Sequence, residues 1–312
     1  MLAVSNPLSN NEDLELGMAI EDVRGDIDYD ECGAGPAVVL VPGSCSTGAA
    51  WRPIMAQWDG RFRCVTTSLL GYGGTAERRT SRTTDIALEA EIIEAVVRRA
   101  GAPVHLVGHS FGGLSALAVA LRKQVALSSL TIIEAPAPEM LRQAGEDSLY
   151  RSFRDMTEAY FNGFYGGNGA AIGLMIDFYG GQGTFASWPQ RVRSYAIDTT
   201  AVNLLDWKSA YGFAPSAEAF ASLALPTLVL RGGASNAAML RANELIARSI
   251  RDAAVATIHG AAHFLVSTHA EAAGRLIAGH VSAAEAQQRH RHIDPLQPGA
   301  SEVMRFARPT MS

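Results

Sequence analysis

Val104-His-Leu-Val-Gly-His-Ser-Phe-Gly-Gly113 runs from one apolar stretch into another through Gly-x-Ser-x-Gly, and its reading decides the fold. Val104 to Val107 suits a short buried strand, and Phe111 to Arg122 suits an apolar helix. In so tight a strand-to-helix turn the serine takes strained backbone angles. Only small neighbours such as Gly108 and Gly112 avoid collision with the adjoining strand and helix. The turn presents the Ser110 hydroxyl at the C-terminal edge of a sheet and aims the helix N-terminus at developing negative charge. A glycine turn with an incidental serine is the rival reading; the strand and helix on either side favour a nucleophile.

Working outward, Ile27 to Glu31 and Ala37 to Val41 read as short strands separated by the turn Cys32-Gly-Ala-Gly-Pro36, and Cys64 to Leu69 as a third. Thr84 to Arg99 carries Ile86, Ala90, Ile93 and Val97 on one side of a helix, with Thr84 or Asp85 as its cap and Gly101 as its end. Ser129 to Ile133 is the next strand. Such alternation predicts an α/β fold, a mostly parallel sheet flanked by helices.

After Pro138 the alternation stops for roughly eighty residues. It resumes with a strand over Pro226 to Arg231, a helix over Ala237 to Ile250, a strand over Val255 to His259 and a last helix from Ala270. The gap reads as an inserted helical cap. Residues 150–213 hold 14 of the chain's 23 aromatic residues, more than the outer face of a helix layer needs, so some are expected to line a pocket. Eight glycines between Gly163 and Gly183 favour a mobile loop or hinge over a continuous helix. A phosphate cradle is disfavoured because no lysine follows. The predicted organisation is a leader over 1–25, an α/β core over 26–136 and 221–282, a cap over 137–220, and a disordered polar tail over 283–312.

The chain has 312 residues, 48% of them hydrophobic, enough for a sizeable core. A net charge of −5 and the lack of a dense basic block exclude the electrostatics of nucleic-acid binding. Cys32, Cys45 and Cys64 form no CxxC pair, which argues against a disulfide framework or zinc cluster and fits a reducing compartment. The polar interruptions of MLAVSNPLSNNEDLELG argue against a signal peptide, and no apolar run approaches about 18 residues. A cytoplasmic protein with no membrane partner is expected. Neither a metal-ligand cluster nor a dinucleotide fingerprint appears, so no metal or cofactor is implied. The expected partner is a small-molecule substrate; oligomeric state is not encoded in any legible pattern.

Gly108-His-Ser-Phe-Gly-Gly113 resembles the nucleophile elbow of the α/β-hydrolase superfamily, and the similarity covers residues 27 to 280. Val39-Leu-Val-Pro-Gly-Ser-Cys-Ser-Thr-Gly-Ala-Ala-Trp51 looks like that family's oxyanion loop, with Pro42 where the family usually has His. The resemblance implies an oxyanion hole formed by the backbone N–H groups of Ser44 and Phe111. Backbone donors do not depend on side-chain identity, so Pro42 bears on loop geometry more than on the donors. Trp51 reads as core, and Thr67-Ser-Leu-Leu-Gly-Tyr-Gly-Gly74, in place of the family's Asp-x-x-Gly-x-Gly turn, as structural.

A serine hydroxyl needs a base, and histidine is the side chain whose ordinary pKa suits the task. Of eight histidines, His263 in His259-Gly-Ala-Ala-His-Phe264 resembles the family's Gly-x-x-His loop. His109 is expected to support the turn. The family commonly places the third member, a carboxylate, after the strand Pro226 to Arg231, but Gly232-Gly-Ala-Ser-Asn236 contains none. Leu130-Thr-Ile-Ile-Glu-Ala-Pro136 offers Glu134 at the end of the preceding strand, the arrangement that some haloalkane dehalogenases carry. Glu134 is therefore the predicted acid, with a solvated glutamate paired to a cap arginine as the alternative.

Ser110 at the nucleophile position excludes chemistries that need an aspartyl ester intermediate. What remains is acyl transfer to water from an ester, thioester, lactone or activated carbonyl. Three rivals share the same residues: a carbon–carbon hydrolase or lyase, a cofactor-free perhydrolase, and a receptor that keeps the fold without catalysis.

Overall fold

The computed structural model describes residues 26–293. Within it, β1 (Asp30–Cys32), β2 (Ala37–Val41), β3 (Arg63–Thr66), β4 (Val104–His109), β5 (Leu127–Ile133), β6 (Thr227–Gly232) and β7 (Ala253–Ile258) form one sheet in the order β1-β3-β2-β4-β5-β6-β7. β1 runs antiparallel to β3, and every other neighbouring pair is parallel. The central strands are covered on both faces, which is why they read as unbroken apolar runs. The pleat sends alternate residues of β2 to opposite cores. Val39 and Val41 join Ile93 and Val97 of helix Ala87–Ala100 and Leu114 of helix Phe111–Arg122. Val38 and Leu40 join Trp58 and, from the last helix, Ile277 and Val281.

Several boundaries differ from those read in the sequence. The first strand forms at Asp30–Cys32 because the residues before it are engaged elsewhere: Asp28 accepts from Ser68 Oγ through its carboxylate and from Thr67 Oγ1 through its carbonyl. The same contacts end β3 at Thr66. Helix Ala87–Ala100 starts later than Thr84, and Asp85 Oδ1 accepts the Ala87 N–H at 2.8 Å. It stops at Gly101, whose φ of +81° an ordinary residue resists.

Between β5 and β6 the described chain forms helices Pro138–Gln143, Asp147–Tyr165, Ile172–Gly180, Thr184–Ser187, Gln190–Asp198, Thr200–Gly212 and Ala217–Ala221. The glycine-rich stretch is not one loop, since Gly163, Gly173 and Gly180 lie inside helices. Its second turn is tied by the Asp177 carboxylate, which accepts the N–H groups of Gly183 and Phe185.

The tail expected from residue 283 is also corrected, because helix Ala270–Ile293 continues through that point. Ala284 is buried, and Glu285 Oε1 lies 3.1 Å from Nε2 of His105 on β4. Alanine, glutamate and glutamine are strong helix formers, so a polar composition here marks an exposed helix face rather than loss of structure. The predicted leader over 1–25 and the remainder of the tail, 294–312, lie outside the described residues.

Candidate active site

Four chain segments leave the C-terminal edges of neighbouring strands and converge on Ser110, where an open parallel sheet gathers chemistry. Ser110 follows β4 with φ 55° and ψ −129°, a conformation that costs about 1–3 kcal/mol and must be held by its surroundings. The glycines on either side permit it: a Cβ on Gly108 would overlap the Gly112 carbonyl, and one on Gly112 would overlap that of Pro42. The Ser110 N–H donates to Ile133 O at 2.8 Å.

His263 lies in the loop after β7, its Nε2 2.9 Å from Ser110 Oγ. On the far side of the ring, Nδ1 is 3.4 Å from Glu134 Oε2, and neither atom has a hydrogen-bond partner elsewhere. This is longer than an ordinary N–H···O bond. Such contacts are commonly loose without substrate and shorten in the reacting complex. Glu134 is fully buried and sits directly after β5. Its Oε1 accepts the Gly232 N–H at 2.7 Å and the Ser235 hydroxyl at 2.8 Å. The turn that lacks a carboxylate of its own thus holds the one supplied by the neighbouring strand. Among the described residues no arginine pairs with Glu134, and its carboxylate is buried, unlike the solvated glutamate of the alternative.

His109 supports the turn as the sequence suggested: its Nε2–H donates to the His263 carbonyl at 2.8 Å. Burial, with the adjacent His263 as a lesser cause, pushes its pKa down to about 3, so it stays neutral. Tyr179, from helix Ile172–Gly180, stacks on the His263 ring with centroids 4.0 Å apart and planes 12° from parallel. Sequence reasoning missed Tyr179; the aromatic enrichment marked the segment but not the ring.

Ser44 follows β2. The residue before it, Gly43, lies so close to Ser110 that a Cβ there would be 2.8 Å from the serine Cβ. The backbone N–H groups of Ser44 and Phe111 have no partner among the described residues, and both residues border the cavity beside Ser110. Phe111 opens its helix, where an N–H has no intrahelical acceptor. Trp51 is buried core, as expected, and also touches the cavity.

No motif in the sequence marks the charged network behind this loop. Asp206, buried on helix Thr200–Gly212, accepts from Ser44 Oγ at 2.5 Å, Tyr72 Oη at 2.6 Å and Arg79 at 2.7 Å. Arg79 also meets Glu89 at 3.0 Å and Glu77 at 2.8 Å. Burial pushes both inner carboxyls up, Glu89 to about 8, and the guanidinium opposes the shift. The turn read as structural therefore also supplies Tyr72 to the network.

The cavity over Ser110 has a volume of about 760 Å³ and is bordered by Tyr179, Trp188, Trp207 and Phe264. Only three of the 14 aromatics in residues 150–213 border it, and most of the others pack in or against the main hydrophobic core. Among the described residues no lysine or arginine borders it, and Asp206 carries the one formal charge on its border apart from histidine. Among the described residues no group of three or more His, Cys, Asp and Glu could hold a metal ion.

A model of the alpha/beta hydrolase family matches residues 38–276. The chloroplastic protein PHYLLO of Arabidopsis thaliana is 27% identical over 154 residues, 44% of this chain and 9% of that protein. The putative carbamate hydrolase RutD of Caulobacter sp. (strain K31) is 31% identical over 122 residues, 36% of this chain and 46% of that protein. The chain thus spans less than half the length of these curated relatives. Among solved structures, a thermophilic esterase from Thermogutta terrifontis superposes with a TM-score of 0.65 at 20% identity, over 83% of this chain and 93% of that one, a likeness of fold.

Proposed function

The chain belongs to the alpha/beta hydrolase family, and on that premise we propose that it is a serine hydrolase acting on an ester, thioester, lactone or activated carbonyl of a small, uncharged, largely hydrophobic substrate. The observation that carries the reading is the line from Ser110 Oγ through His263 to the buried Glu134 carboxylate. Ser110 attacks the carbonyl carbon as its proton passes to His263 Nε2. Glu134 holds the imidazole with Nδ1 protonated and stabilises the imidazolium. The carbonyl oxygen takes negative charge facing the unpaired N–H groups of Ser44 and Phe111, donors worth a hundredfold or more each in turnover. His263 then protonates the leaving group. A water activated by the same histidine releases the acid and restores Ser110.

The helices over 137–220 serve in this proposal as a cap, whose Tyr179, Trp188 and Trp207 give the acyl or aryl group an apolar wall. Three free thiols suit a reducing compartment, and the cytoplasm is the proposed location. No helix among the described residues is long and apolar enough to cross a membrane. The test is labelling with a fluorophosphonate, followed by turnover of p-nitrophenyl esters. Wild type should label and hydrolyse, while Ser110→Ala should not label and His263→Ala should label at least a hundredfold more slowly. Folded wild-type protein that ignores the probe would favour a ligand receptor instead.

A further inference from the structure

Asp206 is 2% exposed, and a buried carboxylate demands compensation. It has that compensation in full. Oδ1 takes Arg79, and Oδ2 takes the hydroxyls of Ser44 and Tyr72, with Asn203 Nδ2 at 3.5 Å. A carboxylate offers about four lone-pair positions. Three of its four donors crowd Oδ2 and Arg79 holds Oδ1, so most of this capacity is engaged within the protein, although Asp206 borders the cavity. Stability alone does not account for it either, since apolar packing of equal volume commonly does as well as a buried ion network.

The Ser44 hydroxyl is the partner of Asp206 that sits next to the chemistry. Its loop is constrained on both sides: Gly43 presses on Ser110, and Cys45 holds a φ of 55° that a residue with a Cβ resists. Ser44 must keep its N–H free, and its side chain ties the loop to helix Thr200–Gly212, beside the contact of the Cys45 thiol with Thr199.

We propose that Asp206 is a positioning residue that, through the Ser44 hydroxyl, fixes the backbone N–H of Ser44 toward Ser110 and so makes the oxyanion hole depend on the seating of helix Thr200–Gly212. This rests on the serine-hydrolase reading above. Removing the hydroxyl leaves the N–H in the chain but cuts the tie from Ser44 to Asp206. The loss should therefore appear in the transition state and not in substrate binding.

The experiment compares wild type, Ser44→Ala, Asp206→Asn and the double variant in the full-length chain. It measures kcat and KM on a p-nitrophenyl ester, the rate of fluorophosphonate labelling, the affinity for an alkyl boronic acid and the thermal midpoint. Ser44→Ala removes one partly exposed hydroxyl, so it tests the idea even if Asp206→Asn folds poorly. The expected result is a ten- to hundredfold fall in kcat, in labelling rate and in boronic-acid affinity for Ser44→Ala. KM should be unchanged, the thermal midpoint should fall by only a few degrees for the one lost hydrogen bond, and Asp206→Asn should add little further loss of kcat in the Ser44→Ala background. Wild-type kcat in Ser44→Ala, a change confined to KM, or fully additive losses in the double variant would each overturn the proposal while leaving the hydrolase intact. A wild type inert to both ester and probe would overturn the hydrolase reading and this proposal with it.

Discussion

Glu134 occupies the left-handed region, φ 49°, one position beyond β5, and its conformation aims the carboxylate across to the loops after β6 and β7. Two donors hold one oxygen, Gly232 N–H and Ser235 Oγ, and the other is left for His263. Glu134→Gln keeps the volume but presents either an amide that cannot accept from Nδ1 or a neutral oxygen that stabilises no imidazolium. We expect kcat to fall about a thousandfold or more with KM and thermal midpoint little changed; steady-state kinetics that found near wild-type turnover would remove Glu134 from the mechanism. The proposed acid at the end of β5 was legible because the usual turn, Gly232 to Asn236, has no carboxylate. The donors that hold it were not legible. A backbone N–H carries no sequence signature, and Ser235 becomes meaningful only once β6 lies beside β5.

At the level of elements, His109 joins the end of β4 to the loop after β7 through the His263 carbonyl. Its pKa is about 3 in the folded protein against an ordinary value near 6.5. Below pH 6.5 the unfolded chain therefore binds a proton that the folded chain rejects, and stability is lost as pH falls from about 6.5 toward about 3. One such proton contributes a slope on the order of 1.4 kcal/mol per pH unit. His109→Gln can still donate to the His263 carbonyl but does not titrate. Urea midpoints between pH 7 and pH 4.5 should decline less steeply in that variant; equal slopes would mean that another group governs the acid limb. Elements were readable where a single pattern dominates, as in Phe111–Arg122, and misplaced where side chains compete with the backbone, as at Asp28 and Thr67. The last helix was read as ending too early because its outer face is polar, while Val281 and Ala284 dock it.

At the scale of the molecule, a sheet, two helical layers and the helices inserted between β5 and β6 surround a cavity that no lysine or arginine borders among the described residues. A substrate carboxylate entering it would leave water without a cationic partner, near Asp206. A neutral ester such as p-nitrophenyl butyrate should accordingly exceed the mono-p-nitrophenyl ester of succinate by at least tenfold in kcat/KM. Equal values would show that the anion reaches a countercharge or stays in solvent. By itself the sequence determined the alternating architecture, the strand-to-helix turn at Ser110 and the proposed roles of His263 and Glu134, because a strained turn and buried strands demand particular residue types locally. The tertiary structure alone decided that Tyr179 stacks on His263, that Asp206 reaches Ser44, and that most of the aromatics pack away from the cavity. Those contacts join residues far apart in the chain, and their partners are chosen by packing, which leaves no periodicity or motif behind.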